Sequence, residues 1–213
     1  MTVQERRVRE KSEIREKILD AARDLFVEFG YDGVSMRKVA ERIEYSPTAI
    51  YLHFENKESL FRELCSRDFL ELAEQFRELR AIADPGERLS ACGCAYVEFA
   101  VANPSHYKLM FMTTYPRRLL PLTDEQVSHR GNPNEDAYAF LLGLVRGEMA
   151  AGAFREDLTD PELVAQTLWA AVHGVASLEI SMNHDQWIEW RPLKDRRAAM
   201  MTAMTSWLMR RKD

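Results

Sequence analysis

Ile14, Ile18, Ala21 or Ala22, Leu25 and Phe29 recur in steps of three and four, so one apolar stripe runs along a first helix ending at Gly30, a residue suited to a left-handed cap. Met36, Val39, Ala40 and Ile43 predict a short second helix behind Ser35, a good N-cap. Ser46 followed by Pro47 sets an N-cap and a first-turn proline for a third helix, running through Phe54. Asn56 can cap a fourth that carries Leu60, Phe61, Leu64, Phe69, Leu72 and Phe76. The capping pattern Asp84-Pro85-Gly86-Glu87 opens a helix to about Ala102, and Asn103-Pro104 ends it and starts another. Prolines at 116, 121 and 133 with Gly131 make 115–134 the most loop-like stretch. Further helices are expected over about 135–151, 161–182 behind Asp160-Pro161, and 193–210. No run alternates with period two and no repeat is evident, so the fold should be all-α.

Three short N-terminal helices, the second and third joined by a tight turn, have the layout of a helix-turn-helix, whose third helix enters the DNA major groove. Ile50 and Phe54, four apart, would anchor that helix to the stripe of the first, leaving Pro47, Thr48, Tyr51 and Leu52 on or near the outer face. Thr48 and Tyr51 offer hydroxyls, His53 a ring N–H and Lys57 a cation, groups that hold phosphates without reading sequence, and Ser35, Arg37 and Ser46 flank them. Base reading would fall to Pro47, Thr48 and Leu52, none of which is a bidentate reader of guanine or adenine. Thymine-methyl contact and DNA shape would therefore carry much of the specificity.

Charge narrows how such a site could work. The chain has 213 residues, 29 Lys/Arg against 34 Asp/Glu, and a formal charge of −5, which excludes a chain-wide polycation and leaves a local nucleic-acid site open. Residues 1–60 hold 11 Lys/Arg against 12 Asp/Glu, with the basic ones gathered in an N-terminal arm (Arg6, Arg7, Arg9, Lys11, Arg15, Lys17) and at Arg37, Lys38 and Lys57. Modest non-specific affinity is expected, with a slope of log K against log salt no steeper than about −10 per dimer. Three Cys fit a reducing compartment, and Cys92 and Cys94, two apart on a helix, cannot clamp one metal. The start has no apolar signal region and no window approaches 18 uncharged apolar residues, so the chain is expected in the cytoplasm, away from membranes.

Residues 12–64 resemble the DNA-binding domain of the TetR family of bacterial transcriptional regulators. The resemblance is carried by Ile18-Leu19-Asp20-Ala21-Ala22, Leu25-Phe26 and Phe29-Gly30-Tyr31; by Val34-Ser35-Met36 and Val39-Ala40; and by the run from Ser46 to Phe54 with Asn56-Lys57-Glu58-Ser59-Leu60. Where the family usually has Gly between helices 2 and 3, this chain has Glu44, at a cost of roughly 1 kcal/mol if the turn needs a positive φ. Trp169-Ala170-Ala171-Val172-His173-Gly174 and the run from Asn103 to Phe111 are similar to a Trp-His-Gly subgroup of TetR-like C-terminal domains. The resemblance implies a helix-turn-helix domain over 1–57 and a helical domain over 58–213 that binds an effector and dimerises through its last two helices.

Phe69, Phe76, Tyr96, Phe99, Met110, Phe111 and Tyr115, with Trp169 and His173, are candidates to line a pocket for an apolar or aromatic effector, although such stripes are more often plain core. For His173 the favoured role is that of a core histidine bonded to a neighbour, because buried polar groups are nearly always satisfied. Leu168, Val172 and Val175 with Met200, Met204, Trp207 and Leu208 are the expected dimer seam. There is no H-E-x-x-H, P-loop or G-x-S-x-G, and the His residues have no metal-ligand spacing, so no enzyme activity, metal or cofactor is expected. The reading is a homodimeric repressor released from a near-palindromic double-stranded operator by a small molecule. The alternative is a DNA-binding protein of the same fold without an effector, controlled by a protein partner or acting architecturally.

Overall fold

The computed structural model describes residues 2–114, 123–182 and 185–209. Among them it is all-α, with the helices α1 Val3–Phe29, α2 Met36–Arg42, α3 Pro47–Tyr51, α4 Lys57–Glu78, α5 Pro85–Ala102, α6 Pro104–Tyr107, α7 Asp124–His129, α8 Ala137–Ala150, α9 Pro161–Met182 and α10 Leu193–Leu208. Their starts follow the caps legible in the sequence. The Ser35 hydroxyl accepts from the Lys38 N–H at 3.2 Å, Ser46 from the Ala49 N–H at 3.2 Å, and the Asn56 carboxamide oxygen from the Ser59 N–H at 2.7 Å.

Three stretches depart from expectation. The basic N-terminal arm is helix from Val3 onward, because Thr2 and Glu5 form a reciprocal capping box and Arg6–Glu10 and Arg9–Glu13 pair one turn apart. The loop-like stretch contains α7, while 115–122 lies outside the described residues. After α6 the chain continues as a π-helical turn over Lys108–Met112, in which the Thr113 N–H reaches the Lys108 carbonyl at 2.8 Å.

Packing groups the chain into two compact units, 1–68 with 105–123, and 69–104 with 124–213, so α4 contributes to both. The core of the first unit joins Ile18, Leu19, Ala22, Leu25 and Phe26 of α1 to Val39 and Ala40 of α2, Ile50 of α3, Phe54, and Leu60, Phe61 and Leu64 of α4. Phe26, Tyr31 and Phe61 form an aromatic trio, edge to face at 4.9 and 5.1 Å and stacked at 5.8 Å. Leu109, from the π-helical turn, is fully buried in this same core. Phe29, expected on the buried stripe, is 45% exposed, with the Lys38 ammonium 4.4 Å above its ring. Beneath α1 the Arg23 guanidinium donates to the buried Asp68 carboxylate at 2.7 Å, and His106 Nδ1 lies 3.2 Å from the same oxygen.

In the second unit α5 packs against α8, α9 and α10. The close approach passes over Gly93, where an added Cβ would meet the Met201 sulfur at 3.0 Å and Val172 at 3.3 Å. Leu142, Val145, Phe154, Val164, Ala165, Leu168 and Leu208 form the core, with Met204 and Trp207 partly buried on it. The end of α10 is tied down by an Arg155 N–H bond to the Leu208 carbonyl at 2.8 Å and an isolated bridge between Phe154 and Met209. Among the described residues one helix, α9, is long and apolar enough to cross a membrane by length and composition alone. Its Val164, Ala165, Leu168, Val172 and Ala176 are instead buried against α5, α8 and α10.

Candidate nucleic-acid interface

The tight turn between α2 and α3 is built around Glu44, whose φ is +60°, the single positive-φ residue other than glycine among the described residues. The chain leaves α2 through an N–H bond from Tyr45 to the Ala40 carbonyl at 3.0 Å. The Cβ strain anticipated at this position is therefore present, about 1–2 kcal/mol for an L-residue in the left-handed region. α3 is held by Ile50 and Phe54, both buried, with the Arg15 guanidinium 4.3 Å above the Phe54 ring and donating to the His53 carbonyl at 2.8 Å.

That anchoring turns the opposite face of α3 outward. Pro47 and Thr48 are exposed, Tyr51 is 54% exposed and Leu52 75% exposed, an arrangement that presents a methyl, two hydroxyls and an isobutyl group to whatever lies against the helix. Other expected contacts carry structural duties. The Ser35 and Ser46 hydroxyls cap helices, Arg37 pairs with Glu41 at 2.8 Å, and Lys57 donates to the Tyr31 carbonyl at 3.1 Å with its ammonium 4.2 Å over the Tyr31 ring. The Tyr31 phenol is pushed up to about 12 by burial and by its bond to Glu58. Burial, reinforced by the charges of Lys11 and Arg15, holds His53 below its ordinary value, so near pH 7 it is a neutral imidazole.

The residues expected to line an effector pocket are distributed differently. Tyr96, Trp169 and His173 meet in the second unit: the Trp169 indole N–H donates to the Tyr96 hydroxyl at 3.2 Å, and that hydroxyl lies 2.9 Å from His173 Nδ1. Burial lowers the His173 pKa. Phe76 is buried against Phe140 at 5.7 Å, Phe99 is buried in α5, and Phe69 is exposed. Met110 and Phe111 belong to the first unit, and Tyr115 lies outside the described residues. A surface groove on the first unit is lined by Leu25, Phe29, Lys38, Glu41 and Arg42, none of them an expected effector contact. Cys92 and Cys94 sit on α5, and burial pushes the Cys92 thiol up to about 12, leaving it protonated and unreactive.

Of the expected dimer seam, Leu168, Val172 and Leu208 are buried inside the protomer, while Val175, Met200, Met204 and Trp207 are half-buried. Sequence periodicity identifies an apolar stripe but not which neighbour covers it. The large apolar side chains that α9 leaves exposed are Leu163, Trp169, Leu178 and Met182.

A three-helix head with an outward-facing α3, followed by a second helical unit, defines a class of helix-turn-helix proteins. Residues 18–64 match the family model of bacterial regulatory proteins of the tetR family, and residues 89–207 match the tetracyclin repressor-like C-terminal domain. The chain belongs to the tetR family. Among curated relatives it is similar to the transcriptional activator FasR of Mycolicibacterium smegmatis, 31% identical over 49% of this chain and 48% of that one. It is also similar to the transcriptional repressor KstR2 of Rhodococcus jostii, 26% identical over 76% of this chain and 79% of that protein. The matched stretch covers about half the length, or less, of several such relatives. A tetR-family regulatory protein from Rhodococcus RHA1 shares the fold with a TM-score of 0.72 at 18% identity, covering 92% of this chain and 96% of that one.

Proposed function

We propose that the protein is a homodimeric, ligand-responsive DNA-binding transcriptional regulator that represses from a near-palindromic operator and is released by a small apolar or aromatic effector. The observation that supports it most is α3 itself. Ile50 and Phe54 fix it on the head core while Thr48, Tyr51 and Leu52 face outward, the presentation a major-groove helix requires. The exposed apolar residues of α9 support pairing of two copies, since Leu163 at 60% and Leu178 at 45% exposure leave an apolar helix face in water. An effector that binds one separation of the two heads better than another shifts the balance between operator-bound and free states by that difference in affinity.

The test is a gel shift with the DNA upstream of the protein's own gene. Wild type retards it in preference to unrelated DNA. Leu52→Glu, which disturbs no buried contact, loses that preference while melting at the same temperature. Absence of sequence preference by the wild type at low salt overturns the reading. Mutual hydrogen bonding of Tyr96, Trp169 and His173 favours a second reading, in which these groups are structural and the second unit senses no small molecule. His173→Gln separates the two: lost thermal stability with an intact ligand response ends the effector role of His173.

A further inference from the structure

The N-terminal turns of α1 are helical, and every residue from 2 to 13 is exposed. Their cations are not equivalent. Arg6 is paired with Glu10 at 2.7 Å and Arg9 with Glu13 at 3.3 Å, while Arg15 is committed to Glu63, the His53 carbonyl and the Phe54 ring. Among the described residues Arg7 and Lys11 are in no ion pair. They precede Arg15 in steps of four, which places all three on one strip of the helix, Lys11 about 6 Å and Arg7 about 12 Å along the axis from Arg15. Arg15 marks where that strip points, because its 2.8 Å bond to the His53 carbonyl is at the end of α3. The charge of Lys11 is felt by His53, behind burial as the main cause of the lowered imidazole pKa.

We propose that Arg7 and Lys11 continue the DNA-facing surface beyond the end of α3 and hold the phosphate backbone that flanks each half-site. This rests on the DNA-binding reading above. The helical form of the segment matters, since it sets the two cations one turn apart on the α3 side and turns the Arg6–Glu10 and Arg9–Glu13 pairs away. Contacts to phosphate alone add affinity at every sequence and raise the salt dependence, leaving the choice of base to α3.

The test is the slope of log K against log salt for the full-length protein on its operator. Arg7→Ala/Lys11→Ala removes four cations per dimer, so the slope becomes shallower by up to about 3.6, with sequence preference unchanged. Arg9→Ala/Lys17→Ala loses the same charge on the far side of α1 and changes the slope by less than about 1. Unchanged melting temperatures show that neither variant acts through folding, as expected of exposed side chains. Equal slope changes in both variants, or none in the first, overturn the proposal while leaving the DNA-binding reading intact. No sequence-preferring binding by the wild type overturns both.

Discussion

Glu44 is a residue-scale conflict between sequence and backbone. Its φ of +60° is imposed by the turn joining α2 to α3, and nothing but glycine takes that conformation without a Cβ penalty. Glu44→Gly is therefore expected to stabilise the head by up to about 1 kcal/mol, the relief of strain outweighing the extra freedom gained by the unfolded chain. Denaturant melting of both proteins checks this, and a lower midpoint for the variant contradicts it. The substitution also removes a carboxylate from the side of the head that carries α3, so operator affinity should rise with stability. The buried Arg23–Asp68 pair is the opposite kind of position: a charge with one partner removed would be left in the core, which typically costs about 3–5 kcal/mol.

At the level of elements, the helices were legible because their caps and periodicity are local. Ser35, Ser46, Asn56 and Asp84 each start a helix through their own side chain, and a reader of the chain can find them without knowing the fold. Long-range pairing was not legible. The stripe of Leu168, Val172 and Leu208 has the same spacing whether it meets its own protomer or another, and only packing places those residues inside. Leu109 shows the same limit: it lies in a segment similar to an effector-domain motif, yet it completes the head core more than forty residues after α4 has left it. Leu109→Ala is expected to destabilise the first unit by about 2–5 kcal/mol, and a variant that melts like wild type would show the site to be slack. Of the candidate DNA contacts, exposure of Thr48, Tyr51 and Leu52 followed from the Ile50–Phe54 spacing. The diversion of Lys57 to the Tyr31 carbonyl did not, because that partner, 26 residues away, is known only once the helices are assembled.

At the scale of the whole molecule, two histidines are held below their ordinary value of 6.5, mainly by burial, and give stability a dependence on pH. A folded-state value below the unfolded one means that protonation favours unfolding. Their contribution is complete above about pH 6.5 and is lost as pH falls through the lowered folded values. The melting temperature should be level from pH 7 to 8 and decline on acidification toward pH 5, with a shallower decline in His53→Gln/His173→Gln. Equal decline in both proteins would assign the effect to carboxylates.

The pairing of Arg6, Arg9, Arg37 and Arg42 with Glu10, Glu13, Glu41 and Glu28 has a cellular counterpart. Genomic DNA offers on the order of a million or more competing sites, and a strongly cationic head would spend most of its time parked on them. A head that has cancelled much of its own charge is parked less often. On the proposed repressor reading, fewer copies are then needed to keep one operator occupied, and a molecule released from it returns to free solution rather than to the nearest stretch of chromosome.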